Sequence, residues 1–228
     1  MVEHDDRITA PALEKVPHAF YKGTPEASRP DFSALGSPPL ARVTQVHSAR
    51  AITVSAPFPP EQQPEADALV TATPGLALGI VTADCAPVLL HDPSANVVGA
   101  VHAGWRGALD GVLEAAIQAM VALGGDPSCM VAVVGPCIQQ ASYEVDDAFR
   151  ARFDSDADSC IAEGRAGHHQ FNLPLYVSKR LRGSGVGSVG TLALDTYARE
   201  DAFHSYRRAT HRGRPTGGRQ LSVIALPT

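Results

Sequence analysis

Two histidines and one cysteine of this chain stand where chemistry is usually done. His102 sits where an apolar run, VVGAV, gives way to HAGWRG. Cys85 occupies a similar junction in TADCAPVLL, and His47 lies in TQVHSA. A side chain at the end of a buried strand is held by the sheet while remaining open to solvent, the usual home of functional groups in sheet proteins. Each residue also has an ordinary reading on its own. Free cysteine behaves mostly as a small buried hydrophobe, and a histidine at a strand end can cap a helix or fill a polar hole. As a set they allow two chemistries. One is a zinc site of two nitrogens and one sulfur, with a position left open for water. The other is a cysteine nucleophile with His47 or His102 as its base. Separations of 38 and 17 residues exclude a zinc finger and leave both readings standing.

The neighbours of these residues supply further groups. Arg106 is an anion ligand by type, because a planar guanidinium grips phosphate through two hydrogen bonds. Gly104 and Gly107 flank it and allow backbone N–H groups to approach an anion. Trp105, the single tryptophan, serves as a pocket wall or as core. Asp84, beside Cys85, is placed to accept a hydrogen bond from a ligating imidazole or to cap a turn. Glu144, in SYEV, is a proton carrier by type, or else an ion-pair partner or helix cap. Arg207 and Arg208 belong to FHSYRR, a dense polar and aromatic patch with Phe203, His204 and Tyr206, by type a solvated face or one from which an arginine turns inward.

The elements that must position these groups can be read from hydropathy. Residues 40–54 read as two short strands with His47 between them or at the end of one. After a proline-rich loop come Ala68 to Thr71, a Pro74-Gly75 turn and strands over 76–82 and 86–90, and then a strand that ends on His102. Leu109, Val112, Leu113, Ala116, Ile117, Met120 and Val121 recur at three and four, a helix that Gly124 and Gly125 stop. SCMVAVVGPCI reads as a buried strand, and Asp146 to Phe153 as a short helix capped by Asp146. A helix begins at Pro174 and ends at Gly183, VGSVGTLALD and LSVIAL are strands, and residues 1–39 show only a weak extended signal around Val16 to Tyr21. These elements predict an α+β protein of one domain.

Composition narrows the partners. A net charge of −5 argues against nucleic acid, since a phosphate backbone rewards an electropositive face. The charge is uneven, however: from Lys179 onward there are nine Lys and Arg against three Asp and Glu. Without interleaved aromatics, those arginines are better suited to lining a pocket for a small anion. Cys85, Cys129, Cys137 and Cys160 form no CxxC pair, the start is acidic and polar, and the longest apolar stretch is broken by Thr82, Asp84 and Pro87. The expectation is a cytoplasmic protein with reduced thiols and no membrane span.

The segments QVHSA (45–49), ADALVTATPGLALGIVTADCAPVLL (66–90), VGAVHAGWRG (98–107), VVGPCIQQASYEV (133–145) and FHSYRR (203–208) resemble, in order, the YfiH-type laccase-domain family. That family is also described as polyphenol oxidase, purine nucleoside phosphorylase and peptidoglycan editing factor. The resemblance runs from about residue 40 to the C-terminus, leaving 1–39 as a variable N-terminal segment and 40–228 as the catalytic domain. It implies a layered α/β/β/α sandwich with mixed sheets, and one zinc per chain on His47, Cys85 and His102. It further implies phosphorolysis of adenosine, inosine, guanosine and methylthioadenosine, with adenosine deaminase activity in the same pocket. Phosphate would rest on Arg106 and the Gly104 to Gly107 turn, Glu144 or Asp84 would serve as general acid, and Trp105 and Arg207 would line the substrate pocket. Partners would be a nucleoside and phosphate, acting on a monomer or homodimer. Copper is disfavoured, because a multicopper oxidase builds several centres from many histidines and this chain has nine, with no HxH pair. Two rivals stay open: an amidase that removes serine-containing UDP-muramyl cell-wall precursors, and a non-enzymatic metal-binding protein. The sequence departs from the family pattern before residue 40, where a glycine-rich start is absent, and at Asp195 and Thr196, where a cysteine-threonine pair is common.

Overall fold

The computed structural model describes residues 1–4, 6–23 and 35–228; the part of the N-terminal segment covering 24–34 lies outside the described residues. In chain order the first strands are β1 (Val2–Glu3), β2 (Arg7–Thr9), β3 (His18–Tyr21), β4 (Leu40–Ala41) and β5 (Ala51–Thr53). They are followed by β6 (Ala68–Thr71), β7 (Ala77–Thr82), β8 (Ala86–Asp92) and β9 (Val97–Ala103). Helices α1 (Trp105–Asp110) and α2 (Val112–Ala122) lead to β10 (Val131–Val134), β11 (Glu144–Asp146) and α3 (Asp147–Arg150). The chain closes with β12 (Ile161–Glu163), β13 (His168–Phe171), α4 (Leu173–Gly183), β14 (Ser188–Thr191), α5 (Tyr206–His211) and β15 (Gln220–Ala225).

The strands form layered mixed sheets. One six-stranded sheet runs β1-β2-β3-β15-β7-β4, and a second runs β14-β10-β8-β9-β6-β5. The alternation of side chains along each strand decides how they stack. Phe20, Leu78, Ile80 and Ile224 of the first sheet meet Leu69, Leu89, Val98 and Ala100 of the second in one buried cluster. The alternate residues of the second sheet, Val70, Val88, Leu90, Val97 and Val101, face α2 and α4 through Leu113, Ala116, Ile117, Val177 and Leu181. Each of these Leu, Ile or Val side chains is fully or almost fully buried, worth about 1.5–3 kcal/mol of transfer free energy apiece. A small three-stranded sheet, β11-β13-β12, packs an aromatic group of Phe149, Phe153, Phe171 and Tyr176 beside Trp105.

Two differences from the sequence reading bear on the site. The single helix expected after GWRG is two: it starts at Trp105 and breaks at Gly111, whose φ of +103° is open to glycine and strained for other residues. The weak extended signal around Val16 to Tyr21 is strand β3, which pairs with β15 through Ser222↔Phe20 and Ile224↔His18, and two further short strands, β1 and β2, precede it. The short helix after Asp146 is found where expected, with the Asp146 carboxylate accepting the Phe149 N–H at 2.7 Å.

Register explains how distant residues meet. β8 and β9 pair antiparallel with Ala86 opposite Ala103 and Pro87 opposite His102, which sets Cys85 beside the end of β9. β9 pairs in turn with β6, Val101 opposite Ala68, and the His102 N–H donates to the Asp67 carbonyl at 2.8 Å. β5 lies parallel to β6, Ala51 opposite Ala68, bringing the loop that carries His47 to the same sheet edge. Cys85, His102 and Asp67 are thus neighbours on three adjoining strand ends.

Candidate metal centre

His47, Cys85 and His102 come together. Their ligand atoms all lie within 4.8 Å of one another, and among the described residues no other such group of three or more His, Cys, Asp or Glu forms. Cys85 Sγ is 3.8 Å from His47 Nε2, and the two imidazoles meet edge to face at 4.7 Å between centroids. His102 is buried, Cys85 half-buried and His47 exposed, so the cluster is anchored on one side and open on the other. Two nitrogens and a sulfur with an open side suit a divalent transition metal that keeps a position for an exogenous ligand.

The residue that organises the cluster is Asp67, which the sequence reading missed. Its Oδ1 accepts from His102 Nδ1 at 2.7 Å and from the His47 N–H at 3.0 Å. Its Oδ2 accepts from the Ser48 N–H at 2.6 Å, the Ser48 hydroxyl at 2.8 Å and the Val46 N–H at 3.2 Å. Those bonds hold His47 at φ +61°, the left-handed region that a non-glycine residue enters only when its surroundings fix it. They also assign the proton of His102 to Nδ1 and leave Nε2 for a ligand. The partner role expected of Asp84 is filled by Asp67. The available signal was a carboxylate directly preceding the wholly apolar ALV.

The electrostatics follow from this geometry. Burial pushes the Asp67 carboxyl up, but His102 and the Ser48 donors outweigh it and lower it to about 2. Burial likewise raises the Cys85 thiol, yet hydrogen bonds and charge from His102 and His47 prevail and lower it. Burial depresses His102, and the Asp67 and Cys85 interactions reverse that and raise it. The cluster therefore favours a thiolate, the form in which cysteine ligates metal or attacks carbon.

Around the cluster opens a cavity of about 720 Å³ whose wall includes Arg42, Gln45, Trp105, Arg106, Tyr143, Arg207 and Arg219. Arg106 lies over the Trp105 ring at 5.3 Å, and Trp105 also packs edge-on against Phe149 at 5.0 Å, so it is both wall and core. Arg207 lies over Tyr143 at 5.4 Å and donates from Nη1 to the Glu144 carbonyl at 2.8 Å. Arg208 instead spends its guanidinium on the carbonyls of Thr196, Tyr197 and Phe203. Gln45 bridges to β7, donating to the Val81 carbonyl at 2.7 Å and accepting the Val81 N–H at 2.8 Å. Burial pushes the Tyr143 phenol well up, so it stays a neutral hydroxyl.

Other expected residues are placed differently. Asp84, at φ +84°, accepts from the Thr196 hydroxyl at 2.7 Å, the Ser205 hydroxyl at 2.9 Å and the Arg207 N–H at 2.7 Å. Its carboxylate fastens the FHSYRR segment to the cavity through these three bonds. Glu144 holds Arg165 through two hydrogen bonds of 3.0 and 3.1 Å and is not part of the wall. Thr196 and Asp195, the departure from the family pattern, carry structural bonds: Asp195 accepts the Ser142 hydroxyl at 2.6 Å. Gly104 is tight for a direct reason, since a Cβ there would lie 3.0 Å from both Cys85 Sγ and His47 Cδ2. A Cβ on Gly107 would lie 3.1 Å from the Ser48 carbonyl. Both glycines seat the His47 loop against α1.

Residues 28–227 match the family described as multi-copper polyphenol oxidoreductase laccase. The chain is 41% identical over 176 residues to a purine nucleoside phosphorylase of Streptomyces coelicolor, covering 77% of this chain and 72% of that protein. It is 38% identical over 188 residues to a purine nucleoside phosphorylase of Deinococcus radiodurans, covering 82% of this chain and 70% of that one. Among solved structures, a Neisseria meningitidis protein superposes with a TM-score of 0.81 at 28% identity, covering 97% of this chain and 98% of its own. The hypothetical protein YfiH of Bacillus licheniformis shares the fold at a TM-score of 0.86, with 99% and 98% covered.

Proposed function

The chain belongs to the multi-copper polyphenol oxidoreductase laccase family, and on that premise we propose that it is a zinc-dependent purine nucleoside phosphorylase acting on adenosine, inosine, guanosine and methylthioadenosine. The observation that carries this reading is the convergence of His47, Cys85 and His102 at the floor of an arginine-lined cavity. The curated relatives named above are purine nucleoside phosphorylases, which supports the same choice of reaction. Zinc, rather than several coppers, fits a single three-residue donor set of imidazoles and thiolate. Bound there, zinc supplies Lewis acidity toward a substrate oxygen and no redox chemistry.

The chain's own residues do the rest. Arg106, in the first turn of α1 and on the cavity wall, holds the attacking phosphate; Gly104 and Gly107, expected to share that task, are buried against the His47 loop instead. A phosphate oxygen forms a bond to C1′ of the ribose as the bond from C1′ to the purine nitrogen breaks. The electron pair of that bond leaves with the base, which takes up a proton. Tyr143, a neutral hydroxyl on the wall, is suited to hydrogen-bond the departing base. Adenosine deamination in the same cavity belongs to this proposal as a side activity. Glu144 and Asp84, both already bonded elsewhere, are poorly placed to serve it.

A second reading rests on one specific file of groups. Asp67, His102 and Cys85 are aligned as carboxylate, imidazole and thiol, the order found in cysteine hydrolases. Without metal, such a file would suit an amidase acting on serine-containing UDP-muramyl precursors. The deciding experiment incubates the zinc-loaded protein with inosine and phosphate and resolves hypoxanthine and ribose 1-phosphate by chromatography. Formation of both, lost with zinc in His47→Ala, Cys85→Ala and His102→Ala, supports the phosphorylase. No hypoxanthine, with amide cleavage that Cys85 alkylation abolishes, overturns it in favour of the amidase.

A further inference from the structure

Among the described residues four arginines, Arg42, Arg106, Arg207 and Arg219, line the cavity, and one inorganic phosphate does not account for them. Among the described residues the only carboxylate on the wall is Asp84, which accepts from Thr196, Ser205 and the Arg207 N–H. Arg106 and Arg207 stand on the helical side, over Trp105 and Tyr143. Arg42 and Arg219 come from the first sheet, and strand alternation puts them on one face. Leu40 and Leu221 meet over Gly79, where a Cβ would lie 2.9 and 3.3 Å from their Cδ1 atoms. β4 runs parallel and β15 antiparallel to β7, which lies between them. Arg42, two residues after Leu40, and Arg219, two before Leu221, therefore project from one face on either side of Val81. The intervening residues agree, since Ala41, Val43 and Gln220 are buried.

We propose that Arg42 and Arg219 form a second anion subsite at the cavity rim, and that the preferred substrate carries its own phosphate ester, as a nucleoside 5′-phosphate does. This rests on the nucleoside reading above. A phosphate monoester carries about −1.5 to −2 charges at neutral pH, a match for two guanidinium groups astride one strand. Arg42 is exposed, and among the described residues its guanidinium makes no hydrogen bond or ion pair. Arg219 donates from Nη1 to the carbonyls of Thr216 at 2.5 Å and Gly218 at 2.7 Å, which orients it without neutralising its charge.

Calorimetric titration of the zinc-loaded protein with inosine and with inosine 5′-phosphate tests the proposal. The phosphorylated ligand is expected to bind at least tenfold more tightly, and the preference to fall below threefold in Arg42→Ala. Arg219→Ala should reduce it likewise, but Arg42→Ala decides, because Arg219 also ties its own loop. Repeating the titrations with saturating inorganic phosphate should leave the preference standing. Equal affinities, a preference unchanged in Arg42→Ala, or one erased by inorganic phosphate would each overturn the second subsite. A preference without phosphorolysis overturns the reaction and keeps the subsite, whereas absence of binding by both ligands overturns both.

Discussion

One oxygen of Asp67 serves two of the three clustered residues, accepting the ring N–H of His102 at 2.7 Å and the backbone N–H of His47 at 3.0 Å. The carboxylate therefore fixes a side chain on one strand and a loop on another element with a single atom. Ligand orientation at a metal depends on such outer partners almost as much as on the ligands.

Replacing Asp67 by Asn should lower zinc affinity by roughly 10–100-fold, the usual cost of losing a carboxylate behind a ligating histidine. Asp67→Ala should cost more, because it also releases the Val46 to Ser48 backbone. Competition against a chromophoric chelator measures both, and cobalt substitution reports a change in the visible spectrum. Unchanged affinity in Asp67→Asn would remove Asp67 from any role at the metal.

The same carboxyl should be legible in acid denaturation. Its folded value, lowered to about 2, lies below the ordinary carboxylate value of 3.8. A depressed acid stabilises the fold fully above its unfolded value and loses that contribution as pH falls through its folded value. The shift corresponds to about 2 kcal/mol. Urea unfolding of metal-free protein should show native stability exceeding that of Asp67→Asn at pH 6, with the gap narrowing from pH 4 towards pH 2. A gap that does not vary with pH would contradict the assignment.

Gly104→Ala should damage the cluster without touching its ligands. The added methyl would press on Cys85 Sγ and His47 Cδ2 at 3.0 Å, and overpacking of this kind costs about 1–3 kcal/mol. Thermal unfolding should shift downward, and zinc stoichiometry should fall below that of the native protein. Retention of both would mean that the His47 loop yields.

Arg106→Ala tests the phosphate assignment. KM for phosphate in inosine phosphorolysis should rise by at least tenfold while zinc content is unchanged, because Arg106 lies over Trp105 and not in the donor set. Phosphate dependence that is unaffected would move the anion to another arginine.

The sequence was informative where chemistry and periodicity coincided. Cys85 and His102 lie at junctions of apolar strands, and those strands are where the apolar runs placed them. Asp67 was invisible because its partners lie 19 to 35 residues away along the chain, and only the β6–β9 and β5–β6 pairings bring them together. Arg42 and Arg219, at opposite ends of the chain, gain meaning only once β7 is seen between β4 and β15. Strands β11 to β13 escaped notice because they are only three or four residues long and carry few buried side chains, HHQF burying Phe171 alone. Glu144 looked like a proton carrier by type, but Arg165, with no sequence relation to it, claims both oxygens.

The β8–β9 hairpin has its open end at Cys85 and His102 and its closed end at residues 93–96. Seven paired positions separate the two ends, a span of about 20 Å or more at strand rise. The backbone spacing of the two ligands is thus set at the ladder's open end, much as the gap of a pair of calipers is set away from its pivot. The pivot loop is consequently a place where evolution, or an engineer, can add residues, an epitope or a reporter while the reactive end keeps its gauge.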